Sequence, residues 1–251
     1  MIFEFVIRAW AAWAPTLAER SRWLHWAAEA QPACPPATEE APPLAAMLAM
    51  SRRRLNPLGR MAAQVAYDLA GPTADEGTGT PILYASRYGD ATRSLALLSD
   101  LARHEPISPT AFGLSVHNAI GAMVSIARAD RAHHSALAGG ASSAGTALIE
   151  AAGLLADGAP EVIVVHYDAP LPGDYAAFGD EPATAYAWAW KVARPVAGEP
   201  HLRLTLTPED ALPAEGRLPF GLGLLRFGLG GQPAWSARAD GQHWQWSRHD
   251  A

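Results

Sequence analysis

The segment Glu161-Val162-Ile163-Val164-Val165-His166-Tyr167 constrains the fold more than any other. It is a continuous apolar run with no polar alternation, the pattern of a strand covered on both faces. Just upstream, residues 141–157 read as a helix. Ala144, Leu148, Ala151, Ala152 and Leu155 form its apolar stripe, and Gly158 stands at the C′ position where helices end. A helix feeding a doubly covered strand is a building block of α/β architecture.

The remaining segments fit that class. Residues 2–7 read as a strand, and residues 14–30 as a helix anchored by Leu17, Trp23, Leu24 and Trp26. The proline-rich stretch 32–43 cannot hold regular structure. Asn56 and Pro57 are a helix start, with the helix running to Leu69. Residues 71–80 read as a polar link and residues 82–86 as a short buried strand. The helix expected over 88–103 places Leu95, Leu98 and Leu101 on one face. Another helix is expected over 116–128. Residues 184–192 and 201–207 alternate like strands, and residues 234–246 read as a hairpin around Ala239-Asp240-Gly241. The Gly/Leu-rich stretch 212–231 carries no assignment.

Composition excludes several classes. Of the 251 residues, 49% are hydrophobic and 18% charged, which suits a packed core rather than a disordered chain. The net charge of −6 argues against a nucleic-acid partner. No window approaches the ~20 apolar residues of a membrane span, and the first residues lack the basic and apolar regions of a secretory signal. A soluble cytoplasmic protein is expected. Cys34 is the only cysteine, so an intrachain disulfide and a cysteine zinc site are ruled out. Its Pro/Ala neighbours supply no cation to activate the thiol.

Residues with chemical interest lie between Ala85 and Asp168. Ala85-Ser86-Arg87-Tyr88-Gly89-Asp90 comes first. The segment Ile107–Ile126 follows, with Ser108-Pro109 near its start and His117-Asn118 in its middle. Then comes Ala138-Gly139-Gly140-Ala141-Ser142-Ser143-Ala144-Gly145-Thr146. This ordered set resembles the amino-terminal half of the β-ketoacyl synthases, of the thiolase-like superfamily. It is most similar to the short synthase-like chain length factors of aryl polyene and xanthomonadin-type pigment synthesis.

The resemblance implies an α/β fold: a single truncated thiolase-like domain, half of a ketosynthase, with a mixed central sheet, covering helices and a short C-terminal β-hairpin. Residues 1–195 would form the synthase-like part, and residues 196–251 a β-rich extension packing on the same domain. In an active synthase a cysteine opens the helix after the elbow, where helix-end amides stabilise a thiolate and an oxyanion. Registering the helix by its end, Glu150 to Gly158, puts Ala141 at that position. A second half with decarboxylating histidines is expected to be missing after Ala251. The implied protein is therefore a non-catalytic subunit, without cofactor or metal, that pairs with a full-length β-ketoacyl synthase as a heterodimer. Ala111, Phe112, Leu114, Val116, His117, Asn118 and Ile120 would lie at the interface or along the partner's acyl tunnel.

Other readings stay open on the residues alone. Gly140-Ala141-Ser142-Ser143-Ala144 is a degenerate nucleophile elbow, so Ser142 could serve a small acyl-thioester hydrolase. Asp168 or Asp174, then His201 or His243, would complete its triad. His133, His134 and Asp130, with His117 upstream, fall short of a usual zinc set. Arg52, Arg53 and Arg54 are either a solvated loop or a contact for an acyl carrier protein.

Overall fold

The computed structural model describes residues 1–71, 79–209 and 217–250. Its strands are β1 (Ile2–Trp13), β2 (Ile82–Ala85), β3 (His134–Leu137), β4 (Val162–Asp168), β5 (Tyr186–Ala193), β6 (His201–Pro208), β7 (Ala234–Ala239) and β8 (Gln242–His249). Its helices are α1 (Arg20–Ala28), α2 (Ala49–Arg52), α3 (Pro57–Ala70), α4 (Ala91–Ala102), α5 (Pro109–Gly113), α6 (Ala119–Arg128), α7 (Ser143–Ala156) and α8 (Phe220–Leu229). A 3-10 turn covers Gly173–Phe178. The strands form one mixed sheet in the order β3-β2-β4-β5-β1-β6-β8-β7. β3, β2 and β4 are parallel, and every later pairing is antiparallel.

Two apolar layers sandwich this sheet. Val162 and Val164 of β4 face α7, α8 and α1, together with Trp188, Trp190, Trp244 and Trp246. Ile163 and Val165 face the opposite way, among residues of α3 and α6. The alternation inherent in a strand thus sends a uniformly apolar run into two cores at once.

Several expected elements shift. The first strand runs to Trp13 instead of stopping at residue 7, because Ala9 to Trp13 pair with β5 after a bulge at Arg8. The helix expected from Ala14 therefore begins only at Arg20. Trp23 and Trp26 are buried in it, Leu17 precedes it, and Leu24 is exposed. The expected stripe of α4 is also corrected. Leu97 is its buried residue, Leu95 is half-buried, and Leu98 and Leu101 face outward. Helix α6 starts at Ala119 rather than 116. Within the unassigned stretch, residues 212–216 lie outside the described ones, and α8 occupies Phe220–Leu229. Much of the polar link 71–80 also lies outside them.

Asn56 caps α3 as its sequence implies, its side chain accepting from the Gly59 amide at 2.9 Å. The hairpin turn is Asp240-Gly241, both with positive φ. Among the described residues, no helix is long and apolar enough to cross a membrane.

Ile163 is fully buried, so Ile163→Ala should lower the unfolding free energy by about 2–5 kcal/mol in urea titrations. Ile126 is 75% exposed, and Ile126→Ala should change it by less than about 0.5 kcal/mol.

Candidate functional site

The carboxyl ends of parallel strands in an open α/β sheet are where ligands and chemistry collect. Here the ends of β2, β3 and β4 lead to the Ser86–Gly89 loop, the Ala138–Ser142 elbow and Asp168.

At the elbow the chain leaves β3 and turns through Gly140, whose φ of 64° suits glycine. It enters α7 with Ser142 as N-cap. Ala141 is half-buried against the apolar layer that includes α7, with only a methyl group to offer. The two serines that follow are buried. Ser143 Oγ donates to the Gly140 carbonyl at 2.7 Å and accepts from the Gly139 amide at 3.0 Å. Ser142 carries a partner that the sequence did not reveal. Asp240 Oδ2 accepts from the Ser142 amide at 2.8 Å and from its hydroxyl at 2.6 Å.

This geometry does not assemble the hydrolase triad. Ser142 Oγ approaches a carboxylate and the Gly139 carbonyl, and no imidazole bonds to it. His201 stacks on His249, and His243 pairs with Glu209 at 3.3 Å. Asp168 is bonded to Ser86, and Asp174 lies in the 3-10 turn. His133 is exposed, while His134 begins β3.

The segment before the elbow lies along the same end of the sheet. Ser108 caps the short α5 by accepting from the Ala111 amide at 3.2 Å. Phe112 is 60% exposed and Val116 is 42% exposed. Ala111 and Leu114 are half-buried, Asn118 is exposed at the start of α6, and Ile120 is buried in the core. His117 Nε2 lies 3.0 Å from the Leu137 carbonyl, tying this segment to the end of β3. Of the arginine cluster, Arg52 donates to the Leu44 carbonyl at 3.1 Å and holds its own loop, whereas Arg53 and Arg54 are exposed. The half-buried Cys34 thiol approaches the Arg217 carbonyl, and burial pushes its pKa up.

A second group of polar residues surrounds Asp168, beside a cleft of about 190 Å³. Asp168 Oδ1 accepts from the Ser86 hydroxyl and the Arg87 amide, both at 2.9 Å. His166 Nε2 lies 3.3 Å from Asp168 Oδ2 and 3.1 Å from the Tyr186 hydroxyl. Arg87 grips Asp180 with two hydrogen bonds, at 2.6 and 2.8 Å, at the cleft's rim. Burial pushes the Asp168 carboxyl up to about 7 and the His166 imidazole down to about 3. Between those values both are neutral, so their contact is not an ion pair. Sequence reasoning named Asp168 only as a triad acid and missed this cluster, whose members are spread along the chain.

A parallel edge, a glycine elbow and a helix opening behind it, on one face of a mixed sheet, fit a thiolase-like α/β domain. The chain belongs to the beta-ketoacyl synthase, N-terminal domain family, whose model matches residues 23–247. Among solved structures it is similar to a chain of the complex of ketosynthase ApeO with its chain length factor ApeC from Xenorhabdus doucetiae. The two share 27% identity over 97% of this chain and 99% of that one, with a TM-score of 0.79. The ishigamide ketosynthase/chain length factor is similar at 15% identity, covering 82% of this chain and 68% of that one, with a TM-score of 0.59. A β-ketoacyl synthase from Burkholderia phymatum STM815 shares the fold at 11% identity and a TM-score of 0.55, over 84% of this chain and 65% of that one. Among curated proteins none matches the chain.

Asp240→Ala removes both bonds at the head of α7 and should cost about 1–2 kcal/mol of stability by urea unfolding. A pH effect follows from Asp168. Unfolded, its carboxyl ionises near 3.8; folded, near 7. The folded state therefore holds the extra proton in between, and stability falls as pH rises through that window. Asp168→Asn lacks this loss. Its stability relative to the parent should improve steadily from pH 4 to pH 7, and parallel curves would contradict the assignment.

Proposed function

We propose that this chain is a non-catalytic chain length factor that pairs with an active β-ketoacyl synthase and shapes its acyl tunnel in aryl polyene-type synthesis. The observation that carries the pairing is the open edge at β3. This strand pairs only with β2 among the described residues, and its sequence His134-Ser135-Ala136-Leu137 lacks the lysine or proline that commonly blunts an edge. Helix α6, which packs on β3, and the segment before it carry exposed apolar side chains, namely Phe112, Val116 and Ile126. A strand edge flanked by such a surface suits burial against another protein. The likeness to a chain of the ApeO–ApeC complex over nearly the whole of both chains supports the same reading.

Ala141 supports the lack of catalysis. A synthase acylates a thiolate, and a methyl group cannot form the thioester. Phe112, exposed on α5, is the candidate tunnel wall, with Ala111, Leu114 and Val116 as its sequence neighbours. Arg53 and Arg54 are the arginines free to meet an acidic carrier protein, since Arg52 is engaged with its own loop.

Co-expression with a full-length synthase bearing an intact cysteine and two histidines should yield a one-to-one complex on gel filtration. A stable monomer that never co-elutes would overturn the pairing. Within that complex, Phe112→Ala should lengthen the acyl products seen by mass spectrometry, and Ile126→Glu should weaken assembly. An unchanged product length would remove Phe112 from the tunnel. Acyl-thioester hydrolysis by the purified chain, abolished in Ser142→Ala, would instead establish the hydrolase.

A further inference from the structure

We propose that the C-terminal hairpin is a built-in stopper for the elbow, with the Asp240 carboxylate seated where an acyl-transfer enzyme would hold its thiolate and oxyanion. The inference deepens the non-catalytic reading and rests on Ala141 marking the nucleophile position.

The amino end of a helix is polarised to receive an anion, and its first amides have no partner within the helix. In α7 that role is already taken. Asp240 Oδ2 accepts from the Ser142 amide and hydroxyl at 2.8 and 2.6 Å, bridging positions 98 residues apart. The carboxylate also lies against the elbow itself, because a Cβ added at Gly140 would overlap it. The space in front of the turn is thus filled by the chain's own anion.

The hairpin is held in place independently of that contact. Asp240 and Gly241 are the two loop residues between Ala239 and Gln242, with φ of 53° and 72°, as a tight two-residue turn requires. Trp244 of β8 packs on the first turn of α7 so closely that a Cβ at Gly145 would overlap its ring. Its indole donates to the Ala239 carbonyl at 3.3 Å, and Phe220 meets it edge-on with ring centres 5.4 Å apart. Asp240 is therefore presented by a braced strand pair rather than a loose loop.

Two independent features then keep this elbow inert. One is the missing sulfur, and the other is a fixed negative charge that would oppose a thiolate even if the sulfur were restored. Replacing Ala141 with cysteine should leave a sluggish thiol.

The test uses Ala141→Cys and Ala141→Cys/Asp240→Asn, both in a Cys34→Ser background, alone or co-purified with the synthase. Alkylation by iodoacetamide is followed across pH by peptide-resolved mass spectrometry. Removing the charge should move the pH midpoint for alkylation of the introduced thiol down. It should also raise the rate at pH 7 by roughly threefold, allowing for the lower nucleophilicity of a more acidic thiol. Identical profiles in the two variants would overturn the proposal. If the double variant does not fold, the single variant still decides. A midpoint below that of the same thiol in the denatured chain would show an open anion site and sink the idea, and a midpoint at or above it sustains it. This readout concerns the elbow alone, so it stays separate from a failure of the chain to pair with a synthase.

Discussion

The burial of β4 on both faces is the constraint around which the molecule is arranged. Its side chains from Val162 to Tyr167 are almost wholly removed from water, half into each apolar layer. Backbone groups so placed must find partners within the sheet, and β4 finds them in parallel β2 and antiparallel β5. That choice places the carboxyl end of β4 beside that of β2, with the β3 elbow next along. The position of every residue with chemical interest follows from this alignment. It also buries His166 and half-buries Asp168 at the end of an otherwise apolar strand, which keeps both neutral between pH about 3 and about 7.

The parts of the fold legible in the sequence were those governed by local periodicity. Helix α7 and strand β4 announce themselves through a clean stripe, a terminal glycine and an unbroken apolar run. The resemblance to the family's ordered motifs then pointed to Ala141 as the nucleophile position. Two elements were left unassigned by the sequence. Ala9 to Trp13 holds alanine and tryptophan, which suit either a helix or a strand, and pairing with β5 decides the matter from more than 170 positions away. Helix α8 was unreadable because its glycines argue against a helix. Gly221 leaves room for His166 and Tyr186, Gly223 for Trp235, and Gly228 for Trp190. The local cost of those glycines is about 1 kcal/mol each, outweighed by the aromatic packing they allow. At the elbow the same limit applied. Ala141 could be registered from its own helix, but Asp240 could be read only as a turn residue, since nothing local points from the hairpin to α7.

The two ends of the sheet differ in character. The β3 end is short, open and bordered by exposed apolar side chains. The β7 end carries Arg238, bonded to Glu209 at 2.8 Å, and alternates exposed with covered residues. Between them α7 rests on β4, β2 and β1, and β8 carries the hairpin to its amino end.

The threading of β1 has a consequence for how the molecule is made. The first strand lies between β5 and β6, and Thr184 is bonded to the Pro35 carbonyl across 149 positions. Contacts of such long separation form slowly, because a large loop must close before any of them is rewarded. As the chain emerges from the ribosome, β1 must wait, with its apolar side chains uncovered, until its neighbours on both sides have been synthesised. The head of α7 is completed later in synthesis, by a carboxylate translated 98 codons after Ser142. Closure of the sheet around β1 therefore comes late in synthesis, once β5 and β6 are available.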